Sequence, residues 1–137
     1  MSADLRMAVR SQFLRFGLVG VVGFVVDAGV LQALVTLAGW GPITARLVAV
    51  PTAVFATWLL NRTVTFPESH GGPALRSLLR YAMVSAAGAG VNFCVYSALV
   101  FASVSMAALP ILPLAIASIV ALVVNYLGSK HYAFARH

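Results

Sequence analysis

The sequence predicts an all-α membrane protein, with four transmembrane helices built as two helical hairpins that repeat in parallel and both termini cytoplasmic. Three observations lead there. Apolar residues fill 61% of the 137 positions and only 9% are charged, where a soluble domain carries roughly a quarter, so lipid must take the apolar surface. Four runs, near 14–37, 43–61, 81–103 and 111–129, are long enough to cross a hydrocarbon core of about 30 Å. In lipid each must be helical, because an open strand would leave backbone groups without partners. Third, the first half of the chain overlies the second. At an offset of 65, Arg15-Phe16 falls on Arg80-Tyr81, Gly17, Gly20 and Gly23 fall on Ala82, Ser85 and Gly88, and Asp27 falls on Asn92. After a three-residue slip in the hairpin turn the offset is 68, Pro42 meets Pro110, and the stretch 61–66 meets 129–134.

This arrangement makes residues 1–137 a single membrane domain, with repeat 1 over about 15–66, a linker at 67–73 and repeat 2 over about 80–134. The linker runs from Pro67 to Pro73 through Gly71-Gly72. The segment 1–13, with Leu5, Val9 and Phe13 and with Arg6 and Arg10 at helical spacing, is either a short in-plane helix at anionic headgroups or a frayed, solvated terminus. Residues 73–80 repeat the idea, with Pro73 suited to a first helical turn and Arg76 and Arg80 four apart. The first apolar run has a basic flank but is too long for a signal peptide and lacks a small-residue cleavage site; it reads as retained. The spacing of Gly17, Gly20 and Gly23, and of Ala82, Ser85 and Gly88, predicts ridges where helices approach closely; the alternative is room for a ligand beside the helix. Pro51 should kink the second helix or loosen one turn. The hairpin turns fall near 39–42 and 104–110.

The placement of charge orients the chain. The formal net charge is +6, yet the basic residues are not spread as a nucleic-acid surface would need. Arg6, Arg10 and Arg15 precede the first helix, Arg62, Arg76 and Arg80 fill the central connection, and Lys130 and Arg136 follow the last helix; only Arg46 lies toward the other side. Eight of the nine basic residues therefore share one face, which the positive-inside rule makes cytoplasmic. Both repeats enter from that face, as parallel repeats do. The bias also argues against a chain that inserts both ways.

No chemistry-bearing motif points to catalysis, a cofactor or a metal. The lone Cys94 cannot form an internal disulfide, and its place in an apolar helix predicts packing. No Cys/His metal spacing, phosphate-binding glycine loop or Ser-His-Asp set is present, and His70, His131 and His137 fall in expected loop or tail. Polar groups within the spans carry the interest instead. Asp27 follows Arg15 by twelve residues, about 18 Å of helix, which places it near the bilayer middle. A charge there costs roughly 2.5–3.5 kcal/mol on insertion scales unless paired, protonated or wetted. Asp27 is therefore either a lock between helices or a contact for substrate or proton. Asn92 keeps its shape without its charge, and with Asn125 and Gln32 these groups form a candidate polar strip; asparagines also glue helices at about 1 kcal/mol each. Arg46 either meets a lipid phosphate, the default, or reaches inward to Asp27. Arg15, Arg62, Arg80 and Lys130 occupy matched repeat positions at the cytoplasmic helix ends. They either orient the chain and snorkel to headgroups or receive phosphate oxygens, which suit arginine's planar fork.

These residues resemble the GtrA-like family. The opening Arg15-Phe16 with Gly20 and Asp27, then Asn61-Arg62 with Thr65-Phe66, then Arg80-Tyr81 with Asn92, and the closing Ser129-Lys130 with Phe134 carry the resemblance, which runs from about Arg15 to Phe134. Val64 departs from it, standing where an aromatic is often found. The resemblance implies a non-enzymatic bacterial inner-membrane protein that moves a polyprenyl-phosphate-linked sugar between leaflets for cell-surface polysaccharide synthesis, beside a glycosyltransferase partner. On that reading Arg15, Arg62, Arg80 and Lys130 would receive the phosphate, and neighbouring Asn61 and, on the other side, Arg46 would join them in binding substrate. Asp27, Asn92 and Asn125 would meet sugar hydroxyls, the tail would stay among membrane lipids, and a homo-oligomer would be plausible. With no nucleotide-binding motif, movement would follow substrate gradients or protons, for which Asp27 is the one candidate carrier. Two competitors remain: a non-transporting anchor for the glycosyltransferase, and a small proton-coupled cation exporter, which the basic face disfavours.

Overall fold

A computed structural model describes residues 2–69, 72–109 and 111–135, and among these every regular element is helical. The long elements are α1 (Ala3–Thr36), α2 (Pro42–Leu60), α3 (Ala74–Ala102) and α5 (Ile111–Gly128), with a short α4 (Val104–Ala108) before α5. Both α2 and α5 continue as one turn of π-helix, Asn61–Thr65 and Ser129–Ala133. A 3₁₀ turn follows at Pro67–Ser69. Four helical segments, including those π-turns, have the length and composition to cross a membrane: Ala3–Thr36, Pro42–Thr65, Ala74–Ala102 and Ile111–Ala133. The protein is a multi-pass membrane protein.

The terminal segments extend the spans. Residues 3–13 are helical rather than frayed and run without a break into α1. Nothing between Ser2 and Leu14 interrupts the helix, and the Ser2 hydroxyl accepts from the Leu5 N–H at 3.2 Å as its N-cap. Residues 74–80 likewise belong to α3. Helix α2 runs on through Pro51. Arg136, His137, His70, Gly71 and Pro110 lie outside the described residues.

The chain divides into two compact units, one ending at Ala74 and the other spanning Leu75–Ala135. In the first, α1 and α2 pack as an antiparallel hairpin. Its turn closes at Gly39, whose φ of +73° suits a residue without a Cβ, and the Trp40 N–H donates to the Leu34 carbonyl at 3.0 Å. The contact buries Phe16, Val19 and Gly23 of α1 against Ala45, Ala49, Thr57 and Trp58 of α2. A Cβ on Gly23 would overlap the Thr57 methyl.

In the second unit, α3 packs on α5 through Tyr81, Val84 and Gly88 against Pro113, Ala117, Ala121 and Tyr126. A Cβ on Gly88 would overlap the Asn125 amide, and one on Gly128 would press on Val84. The expected turn at 104–110 contains α4, capped by the Ser103 hydroxyl. The buried α3 positions lie 65 residues beyond those of α1, and Pro113, Ala117 and Tyr126 lie 68 beyond Ala45, Ala49 and Trp58.

Two packing expectations fail. Gly17 and Gly20 have no neighbour where a Cβ would stand, and neither has Gly90. Three-residue spacing drifts by about 60° per step round a helix, so only the last glycine of each series reaches the contact line. Cys94 is exposed rather than packed. Only 11–22% of each span's most apolar stretch is buried, so most of the apolar surface faces outward, as lipid-facing helices require.

Candidate functional site

Polar and charged side chains gather at two levels of each hairpin: the end carrying the π-turn, and the contact between the helices nearer the hairpin turn. The π-turns come first, because π-geometry is rare and tends to mark functional places. In the first unit the Phe66 N–H reaches back five residues to the Asn61 carbonyl at 2.7 Å; in the second the Phe134 N–H does the same to Ser129 at 2.8 Å. Each turn is pinned by an aromatic pair. Phe16 meets Phe66 edge-on at 6.3 Å between ring centroids, and Tyr81 meets Phe134 at 5.7 Å. The first residue of each turn is fully enclosed: Asn61 is 1% exposed and Ser129 0%. Asn61 Oδ1 accepts the Thr65 hydroxyl at 2.7 Å. In the second turn Ala133 replaces Thr65, and Ser129 Oγ is left without a partner.

These turns hold the basic residues. Arg15 donates to the Val64 carbonyl at 2.8 Å, and Gln12 donates to the Thr65 carbonyl at 3.5 Å. Arg62 lies over the Trp58 ring at 5.5 Å. In the second unit Arg80 lies over Tyr132 at 4.9 Å and Lys130 over Tyr126 at 5.7 Å. Arg15 and Arg62 thus belong to one end of the first hairpin, and Arg80 and Lys130 to one end of the second. All four are half-buried, their charges held against aromatic faces or a carbonyl. His131, expected in a loop, sits exposed in the second π-turn.

The level nearer the hairpin turn differs between the units. Arg46 donates to Asp27 Oδ2 at 3.2 Å. Of the two readings of Arg46, this arrangement shows the inward one, with its side chain turned to Asp27 and still half exposed. The second unit shows why it can reach. There Asn92 donates to Ser118 at 3.4 Å, and Ser118 lies 68 residues beyond Val50. Asp27 thus sits level with Val50, and Arg46 is one helical turn, about 6 Å, toward the hairpin turn. An arginine spans that distance. Asp27 Oδ1 is buried without a hydrogen-bond partner, and so is Asn125 Oδ1. Gln32 does not join this group. It is exposed, and five residues past Asp27 it points about 140° away round α1.

Where the first unit has Arg46 and Phe24, the second has Leu114 and Ala89. There a groove of about 440 Å³ opens, lined by Ala89, Asn92, Phe93, Tyr96, Ile111 and Leu114. No group of three or more metal-ligating side chains occurs among the described residues.

A family model described as GtrA/DPMS, transmembrane domain, matches residues 15–134. The chain belongs to this family. The match begins at Arg15 and ends at Phe134, so it includes both π-turns, both aromatic pairs and the Asp27–Arg46 pair. Residues 3–14, the first turns of α1, precede the GtrA/DPMS region. No curated protein matches the chain.

What sequence reasoning missed at this GtrA/DPMS site is the π-geometry. The match of 61–66 to 129–134 marked the place, but neither stretch contains a residue that demands an i→i+5 bond. The ion pair was in view only as the less favoured of two readings of Arg46.

Proposed function

We propose that this protein moves a polyprenyl-phosphate-linked monosaccharide from the cytoplasmic to the outer leaflet, for glycosylation of cell-surface polysaccharide. Membership of the GtrA/DPMS family supports the class. The observation that carries the reading is the pairing of cations at one end of each hairpin: Arg15 with Arg62, and Arg80 with Lys130, each held beside a π-turn. The substrate has an apolar tail at home in lipid, one phosphate and one hydroxyl-rich head, and only the last two need help in hydrocarbon. Guanidinium and ammonium groups stationed at the cytoplasmic headgroup level would receive the phosphate. Asp27, Asn92 and Asn125 would exchange hydrogen bonds with sugar hydroxyls, and the buried, unpartnered oxygens of Asp27 and Asn125 are suited acceptors. Asn61 acts indirectly, shaping the turn that presents Arg62. The charge bias supports an orientation with both termini in the cytoplasm of a bacterial inner membrane.

The role is transport rather than catalysis. A glycosyltransferase on the cytoplasmic side would supply the lipid-linked sugar, and the largely uncovered spans leave room for that partner or for a second copy. The test is purified protein in proteoliposomes with a labelled short-chain polyprenyl-phosphate glucose. Outer-leaflet appearance should be fast for the wild type and slow for Arg62→Ala and Asp27→Asn. Wild-type vesicles no faster than empty ones, across several sugars, would defeat the proposal and leave a membrane anchor for the glycosyltransferase.

A further inference from the structure

We propose that Arg46 is a phosphate-binding residue and that Asp27 is its built-in competitor, occupying the guanidinium until a lipid phosphate displaces it. The inference deepens the translocation reading and rests on it for the source of the phosphate. Three observations within the first hairpin carry it.

The ion pair is incomplete on both sides. It is a single contact at 3.2 Å, not a two-pronged one, and the Arg46 side chain is 53% exposed. Several of its five N–H donors therefore remain for another ligand. Asp27 is 25% exposed, and its second oxygen is buried without a partner. A charged pair kept only to join two helices would be expected to satisfy its lone pairs.

The hairpin does not need the charges. At the equivalent level of the second hairpin, Asn92 bonds Ser118 and Leu114 stands in the place of Arg46. That hairpin packs through the same series of buried positions with no charge at this level. A neutral solution is thus available to this fold, and the charged one in the first hairpin has another use.

The geometry suits exchange between anions. Arg46 lies in the second turn of α2, near the hairpin turn, where an arginine can turn inward to Asp27 or outward to a headgroup. A phosphate offers two oxygens in the spacing that the guanidinium fork matches, whereas Asp27 uses one. Displacement would free Asp27 Oδ2, beside the sugar of the same ligand. Binding would then be weakened by the fraction of molecules in which Asp27 already holds Arg46.

The experiment measures binding alone, by native mass spectrometry of detergent-solubilised full-length protein titrated with geranyl phosphate or short-chain phosphatidylglycerol. Asp27→Asn removes the competing charge at almost constant shape, and the proposal expects it to bind geranyl phosphate on the order of tenfold more tightly than wild type. Arg46→Gln should bind no more tightly than wild type, alone or combined with Asp27→Asn, and Arg46→Lys combined with Asp27→Asn should retain part of the gain. A gain confined to geranyl phosphate assigns the site to the carrier lipid; an equal gain for both probes upholds the site and assigns it to bilayer headgroups. Unchanged or weaker binding by Asp27→Asn, in protein that elutes as a single species, overturns the proposal. Because nothing is transported, a failure here is separable from a failure of translocation.

Discussion

Asn125 of α5 lies so close to Gly88 of α3 that no methyl group fits between them. The matched crossing in the first hairpin sets Gly23 against the Thr57 methyl. In lipid, close approach of backbones replaces the hydrophobic drive for helix association, so these two glycines set how near each pair of helices can come. Gly23→Ala should be the harsher change. Thr57 is β-branched and stiff at χ1, and its hydroxyl bonds back to Ala53 and Val54 at 2.9 and 3.1 Å. We expect Gly23→Ala and Gly88→Ala each to cost about 1–3 kcal/mol, and Gly20→Ala and Gly90→Ala, which have open space, to stay within about 0.5 kcal/mol. Unfolding in mixed micelles checks the contrast; equal effects at all four positions would contradict it.

The two π-turns offer a second contrast. Thr65 gives its hydroxyl to Asn61, while Ser129, which stands in the place of Asn61 in the second hairpin, has a buried hydroxyl with nothing to bond because Ala133 replaces Thr65. Removing a made hydrogen bond is costly, and removing an unmade one is not. Thr65→Ala should therefore destabilise by about 1 kcal/mol, and Ser129→Ala should be neutral or slightly stabilising. The same unfolding assay decides, and a larger loss for Ser129→Ala would mean that its hydroxyl has a partner in the membrane.

Much of this architecture was legible in the sequence, and the boundary of what was legible is physical. Hydropathy located the four spans because burial in lipid demands long unbroken apolar runs. Internal matching located the glycines, the aromatic pairs and the π-turn segments, because equivalent contacts select equivalent residue sizes. Gly17 and Gly20 misled because small residues mark a possible close approach, and helical phase decides which one makes it. The π-turns were invisible because backbone hydrogen-bond register leaves no residue signature. The sequence left Arg46 between a headgroup and Asp27, because a long side chain covers a full helical turn in either direction.

Arg15 should hold the first π-turn in place through its bond to the Val64 carbonyl. Replacing it with Gln shortens the side chain and removes the charge-assisted part of that bond. The expected result is faster hydrogen exchange at the Phe66 amide, which closes the turn onto Asn61, with little change at amides in the middle of α1. In a GtrA/DPMS protein working as proposed, Arg15→Gln should also slow transport through misplacement of Arg62 as well as through its own lost charge. Unaltered exchange at Phe66 together with slowed transport would place Arg15 in direct contact with the phosphate instead.

The proposed orientation rests on charge placement and can be tested without any substrate. Cys94 is the only thiol and is exposed on its span, so it is first replaced by Ala. Single cysteines are then introduced at Ser2 and Gly72, on the side read as cytoplasmic, and at Ala38 and Ala107, in the two hairpin turns; all four positions are exposed. With intact cells, a membrane-impermeant maleimide should label Ala38→Cys and Ala107→Cys and spare Ser2→Cys and Gly72→Cys until the membrane is opened. Arg46 sits near the first of the labelled turns, so this result would place it on the releasing side. The reverse pattern would turn the basic hairpin ends outward and make Arg46, rather than Arg15 or Arg62, the first cation to meet a cytoplasmic substrate. Labelling at all four sites in intact cells would mean dual insertion, and a directional flippase would then have to be abandoned.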